Sequence, residues 1–583
     1  MTFFLPIVMV GALAGSLVAF DATPSFASNA ETPQRDSARI VPVSEDADLP
    51  GVGAYLKGAI ADLSGVPTVA LKGYLAALAD DPDNMDLRQR AFELSLMADD
   101  VPNAVRLART LPEMEQSTMT RLVQMADFAK QGKVDEARKM ARDVSKVSPE
   151  LLQFRLFQAY LDYAHGAPVP QLVEWLESLN MPESLSGRRS FHIGRLWLKA
   201  GEPEKALVYL RKAHAAEPGS VGSALLLGQT LARQGLPGEG AAVYDSFRAA
   251  NPAVALLVPK GKDLLADTVK PFASTLDDDL AATLTDFGLL IWAQGALSPA
   301  RQVLNLALWM NPDDVHARYY VGMLLEMGDD LPAAAQHYRA LMENDIAGGV
   351  PEGVRLAASI RFAEVQFRMG DTDTPWKTLR KLARANPDVV SLQRSVAQLA
   401  FSRGDYDQAA ESYTVLLNGL PEQASPAARI ELLFARGAVY ERDGNIKAAS
   451  KDFQDALAID PAEAQVLNYL GYMWVDNNIN IPQAFQMLKT AHSLAPDDGA
   501  ITDSLGWAYY KQGDYANAMA YLAQATEQEP ESPEIYDHLG DAYAKLGRIE
   551  DARREWERAL SLLAEGKTAP DDKFEKRVRK KLK

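Results

Sequence analysis

The side chains best suited to metal binding and proton transfer in this chain are its seven histidines, His165, His192, His214, His316, His337, His492 and His538. No two stand at the i, i+4 spacing that puts two ligands on one helix face. The chain has no cysteine, which excludes a thiolate zinc site, a cysteine nucleophile and a disulfide. Gly566 to Thr568 read GKT like the end of a phosphate loop, but the earlier glycine that such a loop needs is Ser561. Neither G-x-S-x-G nor H-E-x-x-H occurs. The sequence therefore assigns no catalytic residue, no metal and no cofactor, and is read as that of a non-enzyme. Its 78 acidic residues outnumber 60 basic ones, and a net charge of −18 opposes nucleic acid as a partner. Acidic and aromatic side chains remain, and their chemistry is binding.

Something must hold those side chains in place, and the sequence shows what by repeating itself. SLGWAYYKQGDYANAMAYLAQATEQEP, Ser504 to Pro530, aligns with the residues after Asp537 so that Gly506 meets Gly540, Tyr509 meets Tyr543, Gly513 meets Gly547 and Ala518 meets Ala552. Every offset is 34, as it is between Pro496 and Pro530 and between Pro218 and Pro252. A period of that length is a helix-turn-helix unit that cannot bury its apolar face alone and must stack on neighbours. With 47% hydrophobic residues there is ample material for the shared core. Counting degenerate units, such as Leu151 to Pro182 and those where Gly240 and Pro375 replace an expected Ala, the chain holds about fourteen repeats.

Leu505-Gly506, Tyr509, Ala518, Leu522, Ala525 and Pro530 together resemble the tetratricopeptide repeat (TPR). LNYLGYMWVD, DSLGWAYY and DHLGDAYAKLGR resemble exported bacterial TPR proteins of the alphaproteobacterial type, over residues 51 to 564. The resemblance implies an all-α, right-handed solenoid acting as a protein-protein interaction scaffold, with the ligand along a concave surface made by the first helix of each repeat. In the last three repeats that surface should carry Asn468, Tyr472 and Asp476, then Asp503, Trp507 and Tyr510, then Asp537, Asp541 and Lys545. These suit a partner segment with basic and apolar side chains; packing within the solenoid is the other reading. The basic set of chaperone-tail TPRs is missing here, but Arg188, Arg195 and Lys199 supply a second candidate patch on an earlier repeat. A lytic transglycosylase with a helical superhelix is the enzyme alternative, and it would need a non-repeating domain for which the repeats leave no room.

Phe3 to Phe20 is an unbroken apolar run followed by small residues at Ser25 and Ala27, the pattern of a secretory signal peptide over 1–27. Retention as an inner-membrane anchor is the alternative. A polar linker at 28–50 is expected to precede a TPR array at 51–252, a connector at 253–280 where the period fails, and a second array at 281–564. The end, 565–583, is basic, and is read either as a solvated tail or as a dock for an anionic lipid or partner. Oligomeric state is not readable from the sequence.

Overall fold

The computed structural model describes residues 52–111, 117–147, 151–264, 271–343, 346, 349–420, 424–565 and 572–583. The expected signal peptide and linker, and the GKT tripeptide, lie outside the described residues. Among those described, every regular element is helical, with twenty-nine α-helices in chain order. None is long and apolar enough to cross a membrane. Two compact units divide at Pro375 and Trp376.

The first unit begins with α1 (Val52–Leu63) and α2 (Pro67–Asp80), α3 (Met85–Met97) and α4 (Val101–Ala108), and α5 (Thr118–Lys130) and α6 (Val134–Val147). Next come α7 (Leu152–Ala164) and α8 (Val169–Ser178), α9 (Ser186–Lys199) and α10 (Pro203–Ala216), and α11 (Val221–Arg233) and α12 (Pro237–Ala250). It continues with α13 (Leu276–Ala293) and α14 (Leu297–Met310), α15 (Val315–Met327) and α16 (Leu331–Glu343), and α17 (Glu352–Arg368). Helix α18 (Asp373–Ala385) crosses into the second unit. The pairing lapses between α12 and α13, where residues 255–257 and 261–263 form only single 3-10 turns. Arg248 holds the first of these by donating to the carbonyls of Ala255 and Val258, each at 2.7 Å. The helical pattern restarts at a capping box, Thr275 and Asp278 each satisfying the other's backbone N–H.

That lapse lies inside the first unit, because α13 and α14 pack across helices made far earlier. Lys130 of α5 donates to the carbonyls of Trp309 and Met310 at 2.8 and 3.1 Å, and Asn305 donates to Leu96 O at 3.1 Å. The degenerate repeat at Leu151 to Pro182 fits the same packing, with Phe154, Phe157 and Tyr160 fully buried where smaller residues were expected.

The second unit pairs α19 (Val390–Ser402) with α20 (Tyr406–Asn418), α21 (Pro426–Arg442) with α22 (Ile446–Ile459), and α23 (Ala464–Asp476) with α24 (Ile481–Leu494). It ends with α25 (Gly499–Gln512) and α26 (Tyr515–Gln528), α27 (Pro533–Lys545) and α28 (Ile549–Ala564), and a last helix α29 (Asp572–Lys581). Close approach explains the small residues. A Cβ on Gly506 would sit 2.8 Å from Leu522 Cγ, and one on Gly540 would sit 2.5 Å from Trp556 Nε1. At Gly513 space is open, and it is the left-handed backbone, φ 84°, that calls for glycine between α25 and α26. Tyr509 fills the gap between repeats, edge-on to Phe485 and stacked on Tyr521.

Candidate protein-binding surface

Asn468 and Tyr472 come from α23, Asp503, Trp507 and Tyr510 from α25, and Asp537 and Asp541 from α27. Each set is spaced by three or four residues, so it occupies one helix face. Because these are first helices of consecutive pairs, which pack on one another in series, the faces adjoin. Asp503 is buried and accepts from His538 Nδ1 at 2.9 Å. Burial works against the imidazolium charge, but Asp503, with Asp537 and Asp541 behind it, holds His538 above the usual histidine range. The indole of Trp507 is 3% exposed and lies between two rings, Tyr510 at 4.6 Å and His538 at 4.2 Å, both nearly parallel to it. Much of this aromatic area is therefore spent on stacking. Tyr510 keeps part of its ring outside, its phenol pushed up to about 12 by burial and by Asp541.

Asp537 and Asp541 meet cations from the end of the chain. Arg577 of α29 donates to Asp537 at 3.1 Å, and Lys581 reaches Asp537 and Asp541, both at 2.7 Å. Burial raises Asp541 above the ordinary carboxylate range, the Lys581 charge opposing and Asp537 adding to the shift. Trp556 closes this corner by donating its indole N–H to Asp541 at 3.2 Å. The expected basic tail is thus a helix in contact with the acidic face. Asp476 pairs with Lys511, while Lys545 is exposed at the end of α27.

The second patch lies on α9, where its three cations are engaged by α13. Arg195 and Lys199 converge on Asp279 at 2.8 and 2.5 Å, and Lys199 also donates to Ser274. Arg188 donates to the backbone carbonyl of Asp286 and pairs with Glu217. His192 bridges Tyr160 and Asp286 at 2.8 and 3.0 Å. Burial opposes the charge of Asp286, but the His192 hydrogen bond and the nearby cations hold it below the usual carboxylate range. Within the described residues no group of His, Asp and Glu is arranged to hold a metal ion.

Models of the tetratricopeptide repeat match residues 192–255, 285–348, 361–428 and 504–570, and a second model of the same repeat matches 430–463. The chain belongs to the tetratricopeptide repeat family. Relatives resemble it over limited stretches: a TPR repeat-containing protein of Pseudomonas aeruginosa is 29% identical over 39% of this chain and 36% of its own length. BBSome complex member BBS4 of Bos taurus is 24% identical over 35% of this chain and 38% of its own length. The chain therefore spans little more than a third of these relatives. Among solved structures, a TPR protein of Parabacteroides merdae covers 46% of this chain and 98% of its own at 18% identity and TM-score 0.39. Yeast Tom70 covers 91% of this chain and 94% of its own at 14% identity and TM-score 0.35. TPR arrays in general mediate contacts between proteins.

Proposed function

We propose that the chain is a non-catalytic adaptor of the bacterial cell envelope, and that the inner face of α23, α25 and α27 receives a partner polypeptide carrying basic and apolar side chains. The observation that carries this reading is the convergence of Tyr472, Tyr510, Asp503, Asp537 and Asp541 on consecutive first helices. Aromatic residues dominate interface energies, and the carboxylates steer a cationic segment while repelling acidic ones. The envelope assignment rests on the apolar run Phe3 to Phe20 and the small residues after it. Affinity capture from envelope extracts, comparing the wild-type chain with a Tyr510→Ala, Asp541→Lys variant, tests the surface. Partners seated there should lose about thirtyfold or more in affinity, the effect of one hot-spot residue. Equal recovery by both proteins would move the binding surface elsewhere. Intact mass tests the location: a mature chain beginning near Ser28 or Glu31 supports export, whereas Met1 retained with carbonate-resistant membrane association supports an anchor.

A further inference from the structure

The acidic face already holds a ligand, and that ligand belongs to the chain. From Lys573 to Lys583 there are seven cations and a single carboxylate, in a protein of net charge −18. On α29 they surround a narrow apolar seam, Phe574 and Val578, which packs against Ala552, Trp556 and Ala559 of α28. Arg577 and Lys581 stand four residues apart, and so do their partners Asp537 and Asp541. The match is helix to helix and turn to turn. Asp537 is 1% exposed, so its carboxylate needs a cation at all times, whereas the Arg577 and Lys581 side chains remain 34% and 22% open to solvent. The stringent half of the contact belongs to the solenoid, and its cationic half can be supplied by another helix of the same pattern.

A second observation is unused hydrogen-bonding capacity on the helices beside α27. Trp507 Nε1 and the side-chain oxygen of Asn468, on residues 3% and 7% exposed, have no hydrogen-bond partner. Both lie on the adjoining first helices α23 and α25, whereas the hydrogen bonds of Arg577 and Lys581 go to α27. Unpaired polar atoms in such a place are uncommon in a finished core.

We propose that this face is a docking site for a basic amphipathic helix with two cationic side chains one turn apart, and that α29 occupies it in the free protein as an intramolecular competitor. The inference rests on the reading that the face receives polypeptides, and adds the class of partner and its control. A partner must displace α29, so its affinity is lowered by the high effective concentration of a helix tethered to the same chain.

The test uses a labelled peptide of residues 572–583, DKFEKRVRKKLK, and fluorescence anisotropy with the full chain. Val578 is fully buried, and Val578→Asp should expel α29 while leaving α27 and α28 paired. Peptide binding should then strengthen about tenfold or more over wild type. It should disappear when Asp537→Lys and Asp541→Lys are added. An Arg577→Glu, Lys581→Glu chain, which keeps the apolar seam, should also bind the peptide more tightly and serves if Val578→Asp disturbs the last repeat. No gain in either variant, with helical circular dichroism unchanged, overturns the inference whatever partners are captured. A gain of the expected size, with no envelope polypeptide dependent on Tyr510 and Asp541, leaves the inference standing and removes the adaptor reading.

Discussion

Replacing Asp279 with Ala should unlock the inner face of the first unit. The carboxylate is 1% exposed and accepts three hydrogen bonds, from Arg195 at 2.8 Å, Lys199 at 2.5 Å and Ser274 Oγ at 2.9 Å. Its loss would leave two cations whose side chains are only 12% and 11% open to solvent, with no counter-charge between them. Breaking a buried ion pair from one side costs about 3–5 kcal/mol, because the remaining charge is stranded. At about 1.4 kcal/mol per factor of ten, the opening of α13 from α9 becomes roughly two to three and a half powers of ten more frequent. Hydrogen exchange read on peptides covering α9 and α13 measures this, with peptides from the second unit as an internal control. Removing all three charges together, with Arg195→Met, Lys199→Met and Asp279→Leu, should restore most of the protection, since no charge is left unpaired. A change below tenfold in the Asp279→Ala protein would refute the argument that this ion cluster closes the unit.

Three further outcomes follow from the second unit. Gly540→Ala places a methyl 2.5 Å from Trp556 Nε1 and should cost about 1–3 kcal/mol by overpacking, with a changed near-ultraviolet signal from the indole. Gly513→Ala meets no atom within 4 Å but keeps φ near 84°, so it should cost about 1–2 kcal/mol of backbone strain and leave that signal alone. His538 is held above its ordinary range by Asp503, with Asp537 and Asp541 also facing it, so the folded state binds its proton more tightly than the unfolded chain does. That contribution is complete below about pH 6.5 and is lost as pH rises through the raised value. Exchange protection of α27, corrected for intrinsic rates, should therefore fall as pH rises above about 6.5, and His538→Gln should flatten the profile; a wild-type profile already flat would sink it.

The repeat was legible because its constraints are local. Gly506, Tyr509, Gly513, Ala518 and Pro530 each answer to a close approach, a gap, a turn or a helix end within one repeat or its neighbour, so their spacing carries the helix pairs with it. What the period does not carry is where the solenoid meets itself. Asp279 and Asp286 find Arg195, Lys199 and His192 across 80 to 94 residues, and no repeat rule places those partners. The break before α13 was visible, but the packing that bridges it was not. His538 stands one turn before Ala542 like any surface residue, and only the folded neighbour shows it stacked on Trp507. The α29 contact did leave a trace in the sequence, two carboxylates and two cations with the same four-residue spacing.

Repeat proteins ordinarily fold by adding each unit to its neighbour, and the closure of the first unit removes that convenience. Arg195 of α9 is made 84 residues before Asp279, and α3 waits 209 residues for Asn305 to reach Leu96. At synthesis rates of about 5–20 residues per second, Arg195 spends roughly 4 to 17 s on a chain whose counter-ion has not yet been made. During that interval the early helices offer unfilled carbonyls and unpaired cations to whatever surrounds them. The first unit is therefore a slow, long-range folder built from parts that are individually fast, and the interval before α13 arrives is when it most needs protection from other chains.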